Sequence, residues 1–357
     1  MTNGAQVGTL SVAATVCLIH LLSCAQETPP GPPGVKPGKR DFVWTVDTVN
    51  YPGSTQTTMD DIWGSSAQNL YITGHNERGY GKMFRYDGHS WQPVALVTAE
   101  GGFIRGPIDL SALDGRSASD IFAVGEHVRL NPNPPPNFLD SSIIIHFDGA
   151  TWHEEQLPSR GRSLSAIAMN GSDVWAGGMK GTAFHYDGNS WLRADGDSVY
   201  GFRDLHLDDS APLALAATFV QGSWTVRYLL HWTSNVWAVV DSFTEGVTPA
   251  TFGHLDIEEI GGKLYSVGRG VFVTDGDRWS QIYGGTSANL TAIHGTRKEH
   301  MFAVGSNGTV VHFNGQDWQR ITIPGGFTFT LSGVWCTEDE VFVLGNDGSK
   351  TFVYHGK

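Results

Sequence analysis

The chain has 357 residues, 45 of them Gly, with 11% aromatic and 17% charged side chains. This is the composition of a turn-rich, all-β body rather than of a helical bundle or a disordered chain. The formal net charge of −13, with no basic stripe along the chain, excludes a binder of the nucleic-acid backbone, which needs clustered Lys and Arg.

In chain order, residues 8–22, GTLSVAATVCLIHLL, form an apolar run too short to span a bilayer and of the right length for a signal-peptide core. The run ends in LLSC (21–24), which resembles a bacterial lipobox: a leucine three residues before the cysteine and a small residue just before it. That resemblance implies a leader over residues 1–23 and lipidation of Cys24, although Leu22 and the lack of Lys or Arg in the first ten residues depart from the pattern. The alternative is an ordinary cleaved signal peptide and a freely secreted product. The segment AQETPPGPPGVKPGKR (25–40) cannot pack a core and reads as an extended, polyproline-like tether. Cys17 lies in the leader and Cys24 carries the lipid, so Cys336 is left alone in a body without an internal disulfide. The expected location is therefore the cell envelope, by lipid anchor, at the outer membrane or cell surface.

From residue 41 onward the chain repeats itself at intervals in the range expected of propeller blades. An alternating segment opens each unit: MDDIWG (59–64), LSALDG (110–115), LSAIAM (164–169), FRDLHL (202–207), HLDIEEI (254–260), LTAIHG (290–295) and LSGVWC (331–336). A second strand of the type DIFAVG (120–125) follows. Then comes an apolar-aromatic strand, a DG turn and a Trp-led fourth strand, as in FRYDGHSW (84–91), IHFDGATW (145–152), FHYDGNSW (184–191) and VHFNGQDW (311–318). Strand, turn, strand, turn at this spacing predicts four-stranded antiparallel meanders. The most eroded copy, LHWTSNVW (230–237), keeps the register, and counting it gives seven units. The last unit ends at FVYHGK (352–357) without a Trp-led strand, while DFVWTVDTV (41–49) is a Trp-led strand without predecessors. The N-terminal strand is therefore expected to complete the last blade, giving one ring-shaped domain over 41–357 with no exposed edges.

These repeats resemble those of bacterial seven-bladed β-propellers whose units read roughly DVYAVG, short loop, ILHYDGSSW, many of them lipoproteins, related in pattern to Asp-box and kelch-like propellers. The resemblance implies the fold and leaves function open, because this architecture hosts sialidases, lyases, lectins and adaptor scaffolds.

The DG turn itself reads as hairpin chemistry: Asp and Gly tolerate the left-handed backbone a tight turn needs, Ser or Thr bonds back to the turn, and Trp packs between blades with its N–H on a backbone partner. His146, His185, His231 and His312 occupy equivalent third-strand positions and diverge around the ring, so no shared metal and no cofactor is expected. The sequences DGD at 195–197 and 275–277 lack the ligand count of a calcium loop.

Sites in such rings gather on the face formed by the blade-to-blade connections and the second-to-third-strand loops. Arg105, Arg162 and Arg203 stand just ahead of three successive first strands there. Their guanidinium forks would suit a carboxylate or sulfate, with Phe103, Tyr200 and Phe202 as faces for a sugar or peptide side chain. The alternative is that these arginines pair locally with acids such as Asp109 or Asp204. The long segment EHVRLNPNPPPNFLDS (126–141) is a partner-contact arm or a tolerated insertion. The leading expectation is a monomeric, non-enzymatic binder of a protein or glycan, with no catalytic residues. The alternatives are a glycan-active enzyme of the sialidase or lyase kind, a carbohydrate-binding lectin, or a structural scaffold.

Overall fold

The computed structural model describes Met1 and residues 36–134, 138–207, 211–218, 225–276, 278–285, 287–325 and 329–357. The leader, Cys17, Cys24 and the tether up to Val35 lie outside the described residues, as do Pro135, Pro136 and Asn137 of the long blade-two segment and Asp277.

The strands form seven separate four-stranded antiparallel sheets, each a meander in sequence order except one. In the exception, the order is the N-terminal strand Trp44–Val49, then Thr351–Gly356, Val341–Asn346 and Leu331–Cys336. Trp44 pairs with Gly356 and Val49 with Thr351, and the ladder continues through reciprocal backbone bonds between Val43 and Lys357 of 2.8 and 3.0 Å. The last blade is thus closed by the first strand, as the orphaned Trp-led segment required. Just ahead of it, Gly38 donates to the carbonyl of Asn314 at 3.1 Å, and Arg40 bonds Asp317 at 2.6 Å. The end of the segment read as a tether is therefore seated on the sixth blade's hairpin.

Each blade presents an inner strand to its two neighbours, so that first touches second and seventh touches first. These are Thr57–Ser66, Ile108–Ser117, Leu164–Asn170, Gly201–Leu207, Asp256–Ile260, Leu290–Arg297 and Leu331–Cys336. Alternation decides what they bury. The positions Ile62, Leu113, Ile167, Leu205, Ile257, Ile293 and Val334 are all buried between blades, while the residues on either side of them face the ring axis.

The closing Gly of the DIFAVG-type second strand has a steric reason. A Cβ on Gly125 would lie 2.0 Å from the Asp109 carbonyl oxygen, and on Gly305 2.0 Å from that of Asn289. This close approach sits beside a β-bulge in the inner strand, between Leu110 and Ala112 in blade 2 and between Leu290 and Ala292 in blade 6. In the blades that carry it, the bulge adds one extra residue to the inner strand.

The DG hairpins are Asx turns. Asp87, Asp148 and Asp187 each accept two backbone amides on one carboxylate oxygen at 2.8–2.9 Å, and the glycines behind them have φ near +90°. The aromatic before the turn and the Trp after it are cross-strand partners, Tyr86 with Trp91, Phe147 with Trp152 and Tyr186 with Trp191, with ring centroids 5.1–5.4 Å apart. Trp237 behaves as its sequence suggests, donating to the Ala194 carbonyl at 2.8 Å. Trp191 donates instead to Glu155 Oε2 at 3.1 Å, and the indole nitrogens of Trp91 and Trp318 have no partner. In the eroded copy, Ser234 and Asn235 both take positive φ. A two-residue turn thereby replaces the DG turn without moving Trp237 out of register.

Because the N-terminal strand supplies the outer strand of a blade made otherwise from the C-terminus, deleting residues 41–49 is expected to lower the melting transition of the whole ring in one cooperative step. A transition unchanged in midpoint would contradict closure as the source of stability.

Candidate functional site

Among the concave regions of the described residues, two of the most voluminous are the axial channel and a groove across blade 2. The channel encloses about 550 Å³ and is lined by all seven inner strands. Its walls carry acids: Asp61, Asp204 and Asp256 at one level, and Asp114 and Glu258 two residues further along. Of these, Asp204 was named from the sequence, as a local partner for arginine; for the others, polar residues alternating with Ile62, Leu113 and Ile257 were the visible signal.

Their hydrogen bonds show what they do. Asp61 Oδ2 accepts the Leu113 amide of the next blade at 2.9 Å, Asp204 Oδ2 that of Ile257 at 2.7 Å, and Asp256 Oδ2 that of Ile293 at 2.6 Å. One level on, His294 Nδ1 accepts from Cys336 N at 3.1 Å. At the bulge level, the Ser165 hydroxyl donates to the Phe202 carbonyl at 2.8 Å, and Thr291 to that of Leu331. Each tie runs from one blade to the next. Where no acid or imidazole supplies the tie, Trp63 lies on Gly115 and Trp335 on Gly64, positions at which a Cβ would meet the indole.

Gathering acids between low-dielectric walls disfavours their charged forms. Burial pushes Asp61 up to about 6 and Asp114 up to about 7. Burial, then the charge and hydrogen bond of Asp256, raises Asp204 well above the carboxylate range, and burial raises Asp256 as well. Burial also holds His294 down to about 4, consistent with a bare Nδ1 that accepts an amide.

The residues singled out from the sequence do not come together. Phe202 is 1% exposed and packs on Trp237 with centroids 5.1 Å apart, over Gly177 of blade 3. It is a correction to the expected ligand face: Phe202 occupies the buried position held by Met59, Leu110 and Leu164 in other inner strands, so register assigns it to the core. Arg203 takes the bulge position beside it. Desolvation, followed by the charge of Arg227, weakens its hold on the proton. Arg162 pairs with Asp140 at 3.1 Å. Tyr200 stacks edge-on against Tyr228, centroids 5.2 Å apart, and Phe103 is 70% exposed. Neither proposed local acid holds these arginines: Asp204 bonds the Leu205 and Ile257 amides, and Asp109 bonds His75 and Lys82.

Arg105 alone of the six lines a cavity. A groove of about 550 Å³ crosses blade 2 between the approach to its inner strand and its outer strand, lined by Arg105, Arg129, Arg160, His127, Glu154 and Leu157 among others. One wall is the long segment, which is not a loop but a ladder: Asp120–Leu130 pairs with Phe138–Phe147 out to Leu130 and Phe138. Arg162, by bonding Asp140 of that hairpin, fixes the wall rather than facing a ligand.

No family model matches the sequence, and no curated protein does. Solved structures do match the fold. "YCF48 bound to D1 peptide" aligns with TM-score 0.59 at 15% identity over 90% of this chain and 99% of that one. The WD40 β-propeller domain of Doa1 aligns with TM-score 0.61 at 13% identity over 88% and 97%. YCF48 from Cyanidioschyzon merolae aligns with TM-score 0.51 at 14% identity over 87% and 98%. The chain is a seven-bladed β-propeller.

The channel acids yield a signed pH dependence. A folded-state value raised above the unfolded one means stability that is full at low pH and is lost as pH rises. For Asp114 the window runs from about 4, the usual Asp value, to about 7. Asp114→Asn keeps an acceptor oxygen for the amides and is expected to raise the melting temperature by a few degrees at pH 8. That advantage should shrink steadily between pH 7 and pH 4; a difference independent of pH would refute the assignment.

Proposed function

We propose that this propeller is a non-catalytic binding scaffold that holds an acidic peptide segment of a partner protein in the blade-2 groove, and that it does so at the bacterial cell envelope. The observation that carries the reading is the groove itself. Arg105, Arg129 and Arg160 border it with no ion pair among the described residues, on a chain whose net charge is −13. Unspent guanidinium groups suit carboxylates by bidentate geometry. The exposed Phe103 and Leu130 lie on the segments flanking the groove and offer apolar contact. One propeller neighbour, YCF48, has a structure bound to D1 peptide, which supports the reading by analogy of fold.

The test is binding of fluorescent peptide panels by anisotropy, acidic against neutral and basic, with sulfated glycans as a separate arm. Acidic peptides are expected to bind in a salt-sensitive manner. Arg105→Ala with Arg160→Ala should weaken them at least tenfold, about 1.4 kcal/mol, without moving the melting temperature. Binding of glycans alone would replace this reading with the lectin one, and equal affinity in the double variant would remove the groove from it.

Envelope presentation rests on the apolar run 8–22, the LLSC spelling and the Pro/Gly-rich spacer, which together describe a lipid-anchored leader and tether. Cys24→Ala is expected to shift the protein from the membrane fraction to the soluble one. Retention in membranes would overturn the lipid anchor.

A further inference from the structure

The equivalent third-strand histidines cannot share a metal between blades, yet blade 2 builds a site within itself. Its DG hairpin sets His146 directly opposite His153. The counterpart cross-strand pairs elsewhere are Arg85 with Gln92, His185 with Leu192, His231 with Ala238 and His312 with Gln319. Two residues beyond His153, on the same side of the strand, stands Glu155. The equivalent positions are Val94, Ala194 and Ile321, each making the same backbone bond that Glu155 makes to Ile144. One blade has thus exchanged an apolar residue for a carboxylate beside a pair of imidazoles.

The three donors are spaced for a small cation. His146 Nδ1 lies 3.4 Å from Glu155 Oε1, and His153 Nε2 lies 3.3 Å from the same oxygen; all three ligand atoms fall within 4.8 Å of one another. Bonds of about 2.0–2.1 Å at tetrahedral angles place neighbouring ligand atoms about 3.3 Å apart. The supporting bonds are also present. His146 Nε2 is held by Asp120 at 3.0 Å, and Asp120 by Arg116 at 2.8 Å, which presents Nδ1 to the site. Phe122 stacks flat on the imidazole, centroids 3.9 Å apart. Glu155 Oε2 is held by the Trp191 indole of blade 3, leaving Oε1 for the cation. Carboxylate-oriented imidazoles of this kind are what transition-metal sites use to fix ligand direction. His153, 43% exposed, leaves a path from solvent.

We propose that His146, His153 and Glu155 bind a first-row divalent cation of the zinc class, with one coordination position left open to solvent. Two nitrogens and one oxygen favour that class over calcium or magnesium, which take oxygen ligands. The competing account of the same geometry is a proton: a charged His146 held between Asp120 and Glu155.

Calorimetric titration of the metal-stripped, tag-free full chain with Zn2+ separates the two. One Zn2+ per chain is expected to bind saturably, at least tenfold more weakly in His153→Gln and in Glu155→Gln. Asp120→Asn, which only orients His146, should weaken it about ten- to hundredfold, and His89→Gln on the blade-1 hairpin should leave it unchanged. Co2+ should give a tetrahedral visible absorption band that His153→Gln abolishes. The proposal fails if wild type shows no saturable uptake below millimolar Zn2+, or if uptake is the same in His153→Gln and Glu155→Gln.

Discussion

The ladder between Trp44–Val49 and Thr351–Gly356 is the constraint on which everything else depends. A run of meanders that ended on its own last strand would leave two open edges and seven blades free to splay. By borrowing its outer strand from the other end of the chain, the last blade converts a series of local hairpins into one cooperative ring. The junction is reinforced around it: Thr351 Oγ1 donates to the Thr57 carbonyl and accepts the Met59 amide at 2.9 Å each, so the seam between blades 7 and 1 is stitched by side chain as well as by strand.

A closed ring forces a second arrangement at its centre. Seven inner strands leave an axial gap that their side chains do not fill, and backbone amides on the rim of each strand need partners that no neighbouring strand supplies. The Asp61, Asp204 and Asp256 carboxylates meet that need. Their raised proton affinity accompanies closure: each of these carboxylates bonds an amide of the next blade inside a low-dielectric channel. Perturbed groups cluster at functional sites often enough to mislead here. The hydrogen bonds of Asp61, Asp204 and Asp256 run from one blade to the next.

The fold was legible because it is periodic: the Ile and Leu alternation, the AVG glycine and the DG turn each recur, and the two unmatched ends named their own partner. The candidate sites were harder to read, because they are departures from the period. Phe202 was misjudged as a ligand face although FRDLHL already aligned it with Leu164. Arg162 and Arg203 share a position ahead of an inner strand, but one belongs to a hairpin brace and the other to a bulge, a distinction that strand register fixes and spacing does not. The His146–His153 pair was within reach, since a four-residue DG turn dictates which residues face each other. Comparing histidines around the ring, rather than across the hairpin, hid it.

Departures concentrate in blade 2. Among the described residues, blade 2 extends its second and third strands into a wall, carries the arginine-lined groove, and has Glu155 where three other blades have Val94, Ala194 and Ile321. These features meet on one short stretch of backbone. Glu154 reaches His127 at 3.0 Å on the groove side, while its neighbour Glu155 turns the opposite way toward His146 and Trp191, as alternation along a strand requires. A cation on Glu155 would therefore stiffen the outer strand that floors the groove and tie it to blade 3 through the indole. The six other blades mainly hold the ring closed, and blade 2 is where its sequence was free to acquire something to hold.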